Sequence, residues 1–205
     1  RLGGRIEVQG SDSVESELGA RRAADERGMT FISPYNDVAV IGGQGTLGLE
    51  LLAQVDDLSA VYVAVGGGGL SSGVAGIVKS MAPATRIVGC SPANSAVMYH
   101  SLRAGEILEL PSEPTLSDGT AGGVEPDAMT FHILDELLDD FVTVDEDDIR
   151  AAFLELIEVE HQLVEGSAAM AYAAAKGHAR AVAGTTAVIL CGGNVGVEKL
   201  RDILD

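Results

Sequence analysis

Lysine is nearly absent from this sequence: Lys79, Lys176 and Lys199 are the only three in 205 residues. Basic residues of both kinds number 13 against 31 acidic ones, a formal charge of −18. A surface of that sign repels nucleic acid and anionic membranes, so neither is expected as a partner. No apolar run approaches the ~20 residues of a membrane span, and no signal-peptide pattern opens the chain. Tryptophan is missing and there are two cysteines, too few for a disulfide scaffold. Cys90 and Cys191 each close an apolar run, as buried thiols do in a reducing compartment, and a cytoplasmic location is expected. Internal repeats and low-complexity tracts are also lacking. The four histidines (His100, His132, His161 and His178) have no metal-ligand spacing, and no metal is expected.

What is present is a globular composition, 46% hydrophobic, in a chain long enough for a sizeable core. Short runs of Val, Ile and Ala alternate with longer amphipathic segments. Strands are predicted over residues 5–8, 30–32, 60–65, 86–90, 141–144 and 187–190. Helices are predicted over 14–27, 46–54, 71–81, 95–104, 130–138, 145–160, 167–176 and 194–204. Buried strands separated by helices imply an α/β fold, a mostly parallel twisted sheet with helices on both faces. Thr46 and Ser71 are expected to cap their helices, and Asp145 to Asp148 place acids in a first turn, where the helix dipole favours them. Residues 105–126 form the one long irregular stretch, expected to line a site or cross an edge.

The strongest local signal is AVYVAVGGGGLSSGVAGIVKSMAP, from Ala60 to Pro83. A strand runs into Gly66, Gly67, Gly68 and Gly69, and a helix follows. Free N–H groups, a bare backbone and the positive end of a helix meet at one point, which suits an anion, most simply a phosphate. A tight turn without a ligand needs fewer glycines. Dinucleotide binding is excluded, because G-x-G-x-x-G meets Ser71 in one register and Ser72 in the other. The next strand also ends in Ser91, where a ribose-binding acid would stand. The nucleotide P-loop fails because Val74 follows Gly73.

The segment VAVGGGGLSSGVA resembles the phosphate cup of fold-type II pyridoxal-phosphate enzymes, the tryptophan synthase β-like fold. Within that group it is most similar to the serine/threonine dehydratase (threonine ammonia-lyase) and serine racemase family. The resemblance extends through ISPYND and VIGGQGTLGLE (residues 32–50), VEGSAA (164–169) and LCGGN (190–194), in the family's order. DGTAGGVEP (118–126) further resembles the hydroxyectoine-utilisation branch. The resemblance implies a small-domain remainder at residues 1–37 and a large cofactor-binding domain at 38–205. It implies that the amides of Gly66, Gly67, Gly68, Gly69 and Leu70 hold the phosphate of pyridoxal 5'-phosphate. Cys191 would face the pyridine nitrogen, a weak partner that leaves the ring a mild electron sink. Glu165, Asp118 and Gly119 would line the pocket, and Asn194 would cap the last helix.

Two family motifs are missing: S-x-K-x-R-G, which carries the cofactor-binding lysine, and S-x-G-N-H, which carries a second base. None of the three lysines stands where that residue is expected, so no catalytic residue is assigned in this chain, which opens at Arg1 and reads as truncated at its N-terminus. The acidic metal site of animal-type racemases has no counterpart between Gly89 and Val97, where there is no carboxylate. The implied activity is loss of water from serine, threonine or a hydroxyectoine-derived amino acid, giving a 2-keto acid and ammonia. Alternatives are an amino acid racemase of the same fold and a catalytically inactive remnant. The implied assembly is a homodimer.

Overall fold

The computed structural model describes residues 3–178 and 183–204. Eight α-helices and four strands occur among them: α1 (Ser13–Arg27), α2 (Val38–Gln54), β1 (Leu58–Ala64), α3 (Gly69–Met81), β2 (Arg86–Pro92), α4 (Val97–Ala104), α5 (Met129–Leu137), β3 (Asp140–Val144), α6 (Glu146–Glu158), α7 (Gly166–His178), β4 (Thr185–Val188) and α8 (Val197–Leu204). The strands form one parallel sheet in the order β3-β2-β1-β4. Alternation along β1 divides the core. Ala60, Tyr62 and Ala64 pack with Phe153, Leu156 and Met170 of α6 and α7. Val61 and Val63 point the other way, against Val74, Ala75 and Val78 of α3. The helices therefore cover both faces, as the unbroken apolar strands required.

Several elements differ from expectation. Helix α2 begins at Val38, not at Thr46: Asp37 caps it, accepting from the N–H groups of Ala39 (2.7 Å) and Val40 (3.1 Å). Helix α2 carries four glycines, Gly42, Gly43, Gly45 and Gly48, each of which weakens helical backbone. Two of them are used for close crossing of α3. A Cβ on Gly45 would lie 3.1 Å from the Gly73 carbonyl oxygen, and one on Gly48 3.2 Å from Ile77. Thr46 is interior and donates back to the Gly43 carbonyl (2.7 Å) instead of capping. Ser71 is likewise inside α3, whose cap is Gly68 at φ 90°; its hydroxyl donates to the Gly68 carbonyl. Asn194 precedes α8 by three residues and does not cap it; its N–H donates to Glu165 Oε1 (2.9 Å).

Residues 5–8 and 30–32 are not strands. Ile6, Val8 and Ile32 are 76–92% exposed, and an extended segment with no ladder partner has nothing to hold it. Strand β4 starts at Thr185, two residues before the expected Ala187. The acids Glu146, Asp147 and Asp148 do occupy the first turn of α6. His100, His132 and His161 are exposed, and His178 packs edge-on against Tyr62.

Candidate functional site

Central strand β1 ends at Ala64, and the chain turns through residues 65–68 into α3 at the carboxyl edge of the sheet. Ligands of open parallel sheets bind at that edge. Six consecutive N–H groups, from Gly66 to Ser71, have no hydrogen-bond partner among the described residues; the run is bounded by Val65, which donates to the Cys90 carbonyl, and Ser72, which donates to that of Gly68. Unpaired amides at a helix N-terminus, aided by the helix dipole, are the donors an anion needs.

The glycines here are bare for a second reason, which composition alone did not reveal. A Cβ on Gly67 would fall inside the Tyr35 ring, one on Gly69 would lie 2.9 Å from Tyr35 Cα, and one on Gly66 would lie 2.9 Å from Thr120 Cα. The turn is squeezed between the segment before α2 and the long irregular stretch. Residues 118–123 of that stretch line the same cavity.

That cavity, of about 470 Å³, is bordered by Gly66, Gly67, Gly68, Gly69, Leu70, Asp118, Gly119, Glu165 and Cys191. All nine residues singled out from the sequence thus meet at one place. Glu165 is tied down on both sides. Its N–H donates to the Gly192 carbonyl (3.1 Å), its Oε1 accepts from the Asn194 N–H, and its carbonyl accepts from the N–H groups of Ala168 and Ala169 in α7. Gly192, at φ 83°, has no room for a side chain beside that carboxylate. Cys191 Sγ lies 3.8 Å from Ser167 Oγ, and burial raises the thiol's pKa, so it stays protonated and uncharged at neutral pH. Asp118 faces Lys199 Nζ at 3.5 Å.

Sequence reasoning missed Ser13, Glu17, Tyr35, Gln44, Thr120 and Ser167, which also line the cavity. Glu17 and Tyr35 belong to a polar cluster. The Tyr35 hydroxyl accepts the Glu125 N–H (2.7 Å), and Glu17 borders the same cavity. Glu125, completely buried, receives Arg21 (2.7 Å) and Asn36 (2.8 Å) on Oε2. Burial raises the pKa of Glu17; the charges of Glu125 and Asp12 add to this, while Tyr35 and Arg21 oppose it.

The folded state therefore holds a proton on Glu17 more tightly than the unfolded chain does. Stability falls as pH rises above the ordinary glutamate range, and the deficit is full once both states are ionised. Glu17→Gln removes that dependence. The variant is expected to melt above the parent at neutral pH, with the gap closing in acid, in paired thermal melts. A parent that melts at or above the variant at neutral pH would contradict this.

Amides ready for an anion, beside an uncharged thiol across one cavity at the carboxyl edge of a parallel sheet, mark the chain as part of an enzyme class that holds a phosphate-bearing cofactor. The chain belongs to the pyridoxal-phosphate dependent enzymes, a family that matches residues 1–192, and pyridoxal 5'-phosphate is the cofactor. It is 35% identical over 204 residues to an L-threonine ammonia-lyase of Thermotoga maritima, covering 100% of this chain and 51% of that enzyme. A solved structure, the processed form of threonine deaminase isoform 2 from Solanum lycopersicum, superposes with TM-score 0.88 at 34% identity, over 98% of this chain and 60% of that one. Maize serine racemase superposes with TM-score 0.85 at 33% identity, over 98% and 64% respectively. The chain spans about half the length of the curated relatives it matches. Among the described residues no helix is long and apolar enough to cross a membrane, and no three His, Cys, Asp or Glu residues group as metal ligands would.

Proposed function

We propose that this chain forms the cofactor-binding part of an ammonia-lyase that removes water from a β-hydroxy amino acid, serine or threonine or a hydroxyectoine-derived one, yielding a 2-keto acid and ammonia. The observation that carries this is the run of unpaired amides from Gly66 to Ser71 at the mouth of the cavity. Five of the residues concerned, Gly66 to Leu70, would take the phosphate. When bound, the cofactor supplies an electron sink that lets the α-proton leave and the β-hydroxyl depart as water.

The chain's own residues would orient that sink and set its strength. Cys191 would face the ring nitrogen as a neutral donor. As a weak partner it would leave that sink mild, which would suit loss of a leaving group. Glu165, by fixing the backbone at Gly192 and Asn194, would hold the ring-facing segment in place. Asp118 and Gly119 would line the rim beside Glu165. None of the three lysines lines the cavity, so the residue that holds the cofactor covalently would come from outside these 205 residues. The division at residues 37 and 38, assembly as a homodimer and a cytoplasmic setting for the two free thiols belong to the same reading.

The test is 2-keto acid release by the full-length protein from serine, threonine and a hydroxyectoine-derived amino acid, with the visible absorbance of bound cofactor followed in parallel. Turnover of at least one supports the proposal, and none, despite bound cofactor, overturns it. The likeness to maize serine racemase favours one second reading, in which solvent deuterium enters Cα without keto acid release.

A further inference from the structure

Four hydroxyls border the cavity, those of Ser13, Tyr35, Thr120 and Ser167. Tyr35 accepts the Glu125 N–H and Thr120 pairs with Ser117 (2.7 Å). Ser167 differs. Its one side-chain partner among the described residues is the Cys191 thiol, with Sγ 3.8 Å from Oγ.

Backbone holds this pair together. Ser167, 4% exposed, lies in the first turn of α7, two residues beyond Glu165. Cys191 precedes Gly192, whose carbonyl accepts the Glu165 N–H (3.1 Å). One hydrogen bond therefore fixes the spacing of the two side chains. Both residues border the cavity, and Cys191 is the more exposed of them.

A thiol carries one proton, and here Cys191 donates it to Ser167. Spent in that direction, it cannot also serve a ring nitrogen. A hydroxyl, however, changes role by rotating its own hydrogen. Ser167 then donates to Sγ, and the freed S–H turns into the cavity. No proton changes owner, since only two hydrogens rotate. A sulfur that accepts a hydrogen bond is also a better donor, because chained hydrogen bonds polarise one another.

We propose that Ser167 is a positioning residue: its hydroxyl turns from acceptor to donor and aims the Cys191 thiol proton at the ring nitrogen of bound pyridoxal phosphate. The inference rests on the placement of Cys191 against that nitrogen and adds the group that orients it.

The experiment uses full-length, cofactor-loaded protein and pyridoxal phosphate whose ring nitrogen is isotopically labelled, so that its NMR resonance reports hydrogen bonding at that atom. Cys191→Ala is expected to move the resonance to the position of an unpaired nitrogen. Ser167→Ala should move it part of the way in the same direction and weaken cofactor affinity about 2- to 10-fold, the worth of one neutral hydrogen bond. In the Cys191→Ala background, Ser167→Ala should change neither, a coupling that a serine serving only to fill space would not produce. A resonance that Cys191→Ala shifts and Ser167→Ala leaves in place overturns the proposal alone, as do equal effects of Ser167→Ala in both backgrounds. A resonance unmoved by either variant overturns it together with the placement of Cys191. Should Ser167→Ala not fold, the parent decides. Its Cys191 S–H stretch in the infrared must shift when the cofactor binds, against the fixed band of the buried Cys90 thiol, and a band that stays put overturns the proposal.

Discussion

Gly67→Ala is expected to weaken pyridoxal phosphate binding by the full-length protein about 100-fold or more, because the added methyl has nowhere to go. It would enter the Tyr35 ring, which is 6% exposed and held through its hydroxyl by the Glu125 amide. Either the ring is displaced or the turn is. A displaced turn misaims several amides at once, and each charge-assisted hydrogen bond lost is worth about 1.5–3 kcal/mol, or roughly 10- to 150-fold. A displaced ring strains a filled site, which costs about 1–3 kcal/mol. Fluorescence titration with the cofactor reads the first effect and thermal melting the second. Gly67→Ala protein that binds the cofactor as the parent does would show that the amides at this turn do not hold the phosphate.

Arg21→Met is expected to destabilise the protein by about 3 kcal/mol, the low end of the range for stripping one partner from a buried ion pair. The low end applies because Arg21 is itself 41% exposed, whereas Glu125 is fully buried. The substitution leaves Glu125 with Asn36 on Oε2 and nothing on Oε1, an oxygen that already lacks a partner. The double variant Arg21→Met, Glu125→Leu should recover much of the loss, since apolar replacements of buried pairs are often neutral. Urea unfolding at neutral pH measures both. A single variant within about 0.5 kcal/mol of the parent, the usual range for an unremarkable surface change, would mean that Arg21 does not neutralise Glu125.

The layers and the cradle could be read from sequence because their signals are local. Val and Ala runs mark strands buried on both faces, and Gly66 to Gly69 mark backbone that needs its amides free. Cys191 and Glu165 were found through short motifs that travel with the cradle. What escaped depends on distant chain. Gly42, Gly43 and Gly45 lie outside the helix predicted over 46–54, and only the crossing of Gly73 at Gly45 shows why a glycine serves there. Nothing beside Ile6 or Ile32 says whether a neighbouring strand is present to pair with it. Glu17 carries no local mark of function, and Tyr35 is marked only as a member of the ISPYND motif. They become informative only when the fold brings both to the border of one cavity.

The strand order has a further consequence. β2 and β4 flank β1 on opposite sides, so the connections serving them part company where β1 ends, and a hollow opens between them. No side chain has to carve that hollow, because connectivity alone makes it. Residues on its rim, such as Glu17 on α1 or Asp118 in the irregular stretch, are therefore free to vary, and evolution can exchange one guest molecule for another without disturbing the scaffold beneath.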